Sequence, residues 1–214
     1  MMHLSSEGLP LTSGKGYHMM TQFDFGNGPV PAHRHSNGGG WVADTAHVDD
    51  TAYVGIDARV FDNAQVSGNA RVYDRAWVYG NARVYGNAQV YGIAEVFDDA
   101  QVFDDARVSG DAQAYGNARV YGNAQVYGNA QVFGYARVLG NARVSGNAWV
   151  LGDAQVFGYA RVLGDAQVFG YARVSGNAWV LGSARVLGDA HVLGDAVVSD
   201  NAQVSGDAVV YGDE

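Results

Sequence analysis

The chain has no cysteine, one lysine, three prolines and four threonines among its 214 residues. Without cysteine there is no disulfide framework, no thiolate metal site and no cysteine nucleophile. No run approaches the roughly 18 consecutive apolar residues of a membrane span. No basic stretch followed by an apolar core opens the chain, so no membrane segment or secretory leader is expected, and a cytoplasmic or virion-associated location fits. Cations are scarce as well: 13 Lys and Arg stand against 22 Asp and Glu, for a net charge of −9. That balance argues against nucleic acid, whose affinity rests on neutralising phosphates. The threonines, Thr12, Thr21, Thr45 and Thr51, end before the third repeat, which excludes the regular threonine rows of an ice-binding solenoid. Only 16% of residues are charged and 48% are hydrophobic, so the chain is not a disordered polyelectrolyte.

What is present is repetition. Residues 41–214 divide without insertion into 29 units of six, as in Arg83-Val84-Tyr85-Gly86-Asn87-Ala88. The second place is Val except at Ala114, the sixth is Ala except at Glu214, and the fourth is Gly or Asp except at Ile56. Alternation through Ala-x-Val-x has the period of a short strand with one buried face, and Gly-Asn, Gly-Asp or Asp-Asp supplies a corner. The first place carries Arg in ten units and Gln in nine. Burying these unpaired groups would cost several kcal/mol each, so Val and Ala point inward. Helix fails because turn residues recur every six positions, and a meander of four-residue hairpins would leave long exposed edges. A parallel coil remains, and period alone leaves open how many units close it.

The Val84–Ala88 pattern, an aliphatic residue followed four places later by a small one, resembles the hexapeptide-repeat, left-handed parallel β-helix superfamily. The resemblance runs through residues 41–214 and implies an all-β, single-stranded, three-sided solenoid with three units per coil and nine to ten coils. In its Gly-Asn-Ala-Arg-Val-type units and Gly39–Val42 opening, the chain looks like uncharacterised phage and bacterial repeat proteins. One departure is consistent: the place after Val, often Gly in the superfamily, holds Tyr, Phe or Leu in 20 of 29 units here. Residues 1–40 lack the repeat and contain the only lysine, Lys15. They read as an N-terminal capping or linker segment, with Ser36–Gly40 as a flexible lead-in to Trp41.

With three units per coil, Phe61, Tyr79, Phe97, Tyr115, Phe133, Leu151, Phe169 and Leu187 form an unbroken ladder on one wall. Either they stack only on one another, with Arg over rings, or they form an interface, since a contiguous apolar wall is uncommon on a monomer. A homo-oligomer is expected, and relatives of the fold imply a trimer. A second wall sets Arg83, Arg119, Arg137 and Arg173 beside rings, a candidate ligand-facing row that fits a small molecule or carbohydrate. The superfamily's acyltransferases use a catalytic His, a projecting loop and a helical tail. Here the units never break, and His47 and His191 occupy ordinary outward places. His33 and His35 have the spacing that puts two imidazoles on one side of an extended strand, a candidate metal pair lacking a third ligand. Asp98-Asp99 and Asp104-Asp105 read as solvated corners. No cofactor is expected. The chain reads as a non-enzymatic structural or binding solenoid. The alternatives are an acyltransferase-like enzyme and sequestration of a small nucleotide or signalling ligand at a subunit cleft.

Overall fold

From Asp62 to Gly206 each corner turns the same way because its fourth-place residue adopts a left-handed backbone. Every such residue has φ between 56° and 76°, glycine at most corners and aspartate at five. Between corners the first and second places form a two-residue rung such as Arg83–Val84. The computed structural model describes residues 21–212. Rungs 18 residues apart pair in parallel, Val66 with Val84 and Val84 with Val102. Three hexads therefore close one coil, and the 29 rungs build nearly ten coils of a three-sided parallel β-solenoid. No helix occurs among the described residues.

The three walls are sheets of twelve, ten and nine strands. The first runs through the rungs at Trp41, Arg59, Trp77 and onward, the second through His47 and Arg83, the third through Tyr53 and Arg71. Within each hexad the first, third and fifth amides donate to the next coil, as in Arg83 N to Ala100 O at 2.9 Å, Tyr85 N to Val102 O at 3.0 Å and Asn87 N to Asp104 O at 2.8 Å. Second-place Val and sixth-place Ala fill the interior. From Ala52 to Ala190 nearly all are fully buried, including Ala114. Arg and Gln at the first place face outward, the arrangement that leaves no charge in the core.

A different fold begins the described residues. Strands β1 (Gln22–Asp24) and β2 (Pro29–Arg34) form an antiparallel hairpin, and β2 pairs antiparallel with β3 (Trp41–Ala43), extending the first wall at its edge. The link from β2 to β3 then crosses the top coil. Val54 N donates to Asn37 O, Gly40 N to Val54 O, and the buried His35 ring lies 3.0 Å from Ala52 O. Here the expectation of a flexible lead-in is corrected. Gly38 and Gly40 sit so close to the Val54 and Gly55 carbonyls that a Cβ on either would collide with backbone, and Gly38 has φ +115°. These glycines are required by close approach and not by mobility. The part of the capping expectation that concerns residues 1–20 lies outside the described residues.

A second small core seats the hairpin. Phe25 stacks on Phe61 at 4.9 Å, Phe23 stacks on Trp41 at 4.5 Å, and Ala32 and Ala43 are buried beside them.

Candidate functional site

On the first wall, register carries third-place side chains into line. Phe61, Tyr79, Phe97, Tyr115 and Phe133 stack at 4.8–4.9 Å with planes within 4° of parallel. The column continues with Leu151, Phe169 and Leu187. Phe61 is buried under the hairpin and the other seven are half-buried. Beside it the first places read Glu95, Gln113, Gln131, Trp149, Gln167 and Arg185, so no charge lies on this face between Glu95 and Arg185. Tyr79 Oη donates to Glu95 Oε2 at 3.0 Å. Burial first, and then that hydrogen bond and the Glu95 charge, push the Tyr79 hydroxyl well above the usual tyrosine range. Burial also raises Tyr115.

The second wall brings all four candidate arginines into one column. Its order is Arg83, Gln101, Arg119, Arg137, Gln155, Arg173, His191, with Arg119 directly beside Arg137. All four are exposed and form no ion pair among the described residues. Among the described residues none lies over a ring. The arginines that do are Arg59, between Phe23 at 5.2 Å and Trp77 at 4.9 Å, Arg71 near Tyr53 and Tyr73, Arg161 over Trp179, and Arg34 over Trp41. The stacking reading thus holds for other arginines and leaves the second-wall row free.

Sequence reasoning missed the corner tyrosines. Tyr135 and Tyr171 stand 62% and 65% exposed at fifth places, two coils apart on one corner, and with Arg137, Asp153, Gln155 and Arg173 they line a cleft of about 160 Å³. The available signal was their type, since most fifth places hold Asn or Asp. A larger cleft of about 560 Å³ lies where the hairpin meets the first coils, between Trp41 and Trp77, with Arg59, Arg75, Asp57 and Glu95 on its walls. It joins the hairpin, through Phe23 and Arg34, to the first wall and a corner, so no single column links its residues.

His33 and His35 do not converge. β2 ends at Arg34, so alternation stops before His35. The exposed His33 Nδ1 lies 2.8 Å from Asp44 Oδ1, while His35 is buried against Ala52 O. Among the described residues no group of three or more His, Asp or Glu is placed to hold a metal ion. The acidic corners have structural partners: Asp98 and Asp104 accept from Gly116 N and Gly122 N at 3.2 and 3.1 Å, and Asp99 and Asp105 accept from Asn81 and Asn87.

Fold and surface together define a β-solenoid repeat protein. Seven stretches, residues 64–79, 76–92, 100–116, 112–128, 124–140, 136–152 and 166–188, match the family model described as the YdcK beta solenoid repeat, and the chain is a β-solenoid repeat protein similar to that family. The match is to this solenoid repeat, while the wider hexapeptide likeness rests on the Val–Ala pattern alone. No curated protein matches the chain.

Proposed function

We propose that this chain is a non-enzymatic structural or binding solenoid that associates with copies of itself through the first wall. The observation that carries the reading is the absence of charge on that face between Glu95 and Arg185, beside a continuous column of rings and leucines. The other two walls carry arginine through the same coils, at Arg119, Arg137 and Arg173 and at Arg107, Arg143 and Arg161. Glutamine and aromatic side chains can be covered without stranding a charge, whereas covering unpaired arginine costs several kcal/mol. A face several coils long approaches the roughly 800 Å² per partner of a standard interface.

Sedimentation of the wild type beside a Gln131→Arg, Gln167→Arg double variant tests the reading. Arginine at this place is compatible with the fold, since Arg119 and Arg137 are neighbours on the second wall. An oligomer that dissociates in the variant, with the β-solenoid circular-dichroism signature retained and a melting temperature lower only by the lost association, supports the first wall. A wild type that is monomeric at micromolar concentration overturns the association. An oligomer indifferent to both substitutions moves the interface to another face. A Phe97→Ser, Phe133→Ser, Phe169→Ser variant then reads the ladder's part in it.

A further inference from the structure

Wherever aromatic residues occupy successive third places, their rings advance by 4.7–4.9 Å with nearly parallel planes. On the third wall Tyr73 and Tyr91 stack in this way, 4.9 Å apart and 2° from parallel. The next third place is Ser109, and the one after it Tyr127. Backbone register is unbroken there, Gln89 pairing with Arg107 and Arg107 with Gln125. Tyr91 and Tyr127 therefore stand two coils apart, about 9.6 Å at the strand spacing, and the place of one ring between them is empty of aromatic carbon. Ser109 is sunk to 9% exposure between its taller neighbours, and Tyr127, with serines at 109 and 145 on either side, is 37% exposed. Tyr91, Arg107, Ser109, Gln125 and Tyr127 line a cleft of about 230 Å³. Arg107 shares a hexad with Ser109, is exposed, and forms no ion pair among the described residues.

We infer that this missing rung is a binding slot for a small planar aromatic carboxylate. Its ring takes the vacant ladder position between Tyr91 and Tyr127, and its carboxylate meets the Arg107 guanidinium with the Gln125 amide as a second donor. The opening has the thickness of one aromatic ring, which favours a flat ligand over a puckered one. One guanidinium balances one negative charge, and the chain's net charge of −9 disfavours a dianion. The slot lies on the third wall and stands independently of association through the first.

Benzoate titrated against the full chain, followed by backbone amide shifts, tests the inference, with cyclohexanecarboxylate and benzyl alcohol as puckered and uncharged comparisons. Benzoate should saturate in the millimolar range expected for so few atoms, with shifts centred on Ser109 and Tyr127, and both comparisons should bind at least several-fold more weakly. Ser109→Tyr fills the rung with the protein's own ring. It should raise the melting temperature by about 2–4 °C and weaken benzoate at least tenfold. Arg107→Gln should weaken benzoate about tenfold with the melting temperature unchanged. Absence of saturation, equal binding of cyclohexanecarboxylate, or benzoate binding that survives Ser109→Tyr overturns the slot. A Ser109→Tyr chain that does not fold also contradicts a ring-sized vacancy, and Arg107→Gln then reads whether charge alone draws the probe.

Discussion

From Asp62 to Gly206 the fourth place of each hexad sits at φ between 56° and 76°, a region that costs an ordinary L-residue about 1–2 kcal/mol. Glycine avoids that cost. Aspartate recovers part of it by a hydrogen bond across the coil, as Asp104 Oδ2 does in accepting from Gly122 N. At Gly140, with φ +69°, an added Cβ would lie 3.2 Å from Gly158 N. Gly140→Ala should therefore lower stability by about 1–2 kcal/mol, and Gly140→Asp by about 1 kcal/mol less, because its carboxylate can take the Gly158 amide. Thermal melts of the two variants side by side check the order; alanine melting above aspartate contradicts it. Tyr79 gives a second residue-scale expectation. Its hydroxyl pKa is raised in the folded chain by burial and by Glu95, so the stabilisation is complete below the unfolded tyrosine pKa of about 10 and is lost as pH climbs beyond it. Tyr79→Phe keeps the ring and removes the titration. Its stability should fall less steeply than wild type between about pH 9.5 and about pH 11.5, and the residual slope belongs to Tyr73, Tyr85 and Tyr115, which burial also raises.

Among the elements, the rungs and the N-terminal hairpin are held by different forces. A rung is fixed on both sides by coils of the same kind, whereas β1 and β2 depend on one small aromatic cluster in which Phe25 is 6% exposed against Phe61. Phe25→Ala should cost about 3 kcal/mol and act locally. Amide exchange should quicken across residues 21–34 while rungs beyond Val96 keep their protection; uniform loss of protection would mean that the solenoid needs the hairpin to stand. This division also marks what the sequence could tell. The inward face of Val84 and Ala88 was legible because Arg83 and Gln89 could not be buried, and the three ladders followed once an 18-residue coil was assumed. The hairpin was not legible, since residues 21–40 lack a period and Gly38–Gly40 has the same composition whether a segment is mobile or pressed against Val54. His33 and His35 do not share a face because alternation holds only while a strand continues, and β2 ends at Arg34. Tyr135 and Tyr171 are hidden in the sequence because the hexad pattern marks their place by its turn chemistry and does not say where a corner side chain stands.

Over the whole molecule, charge is sorted by position in the hexad: arginine at first places of the second and third walls, aspartate at fourth- and fifth-place corners, and little on the first wall. This sorting separates two modes of lateral association. If copies met by laying a second-wall arginine column against a neighbour's aspartate corners, the joint would be held by exposed ion pairs and would weaken as salt screened them. If they meet through the first wall, the interface itself holds almost no charge, and the main electrostatic effect is mutual repulsion of chains at net −9. Raising salt from about 20 mM to about 500 mM shortens the screening length from roughly 20 Å to roughly 4 Å. It removes that repulsion and leaves stacked rings and glutamines untouched. Association through the first wall should therefore tighten several-fold over this range, and it should tighten less once Gln131→Arg and Gln167→Arg reduce the repulsion and charge the joint. Analytical ultracentrifugation across the salt series reads the difference, and a dissociation constant that rises with salt would place the contact on the arginine columns instead.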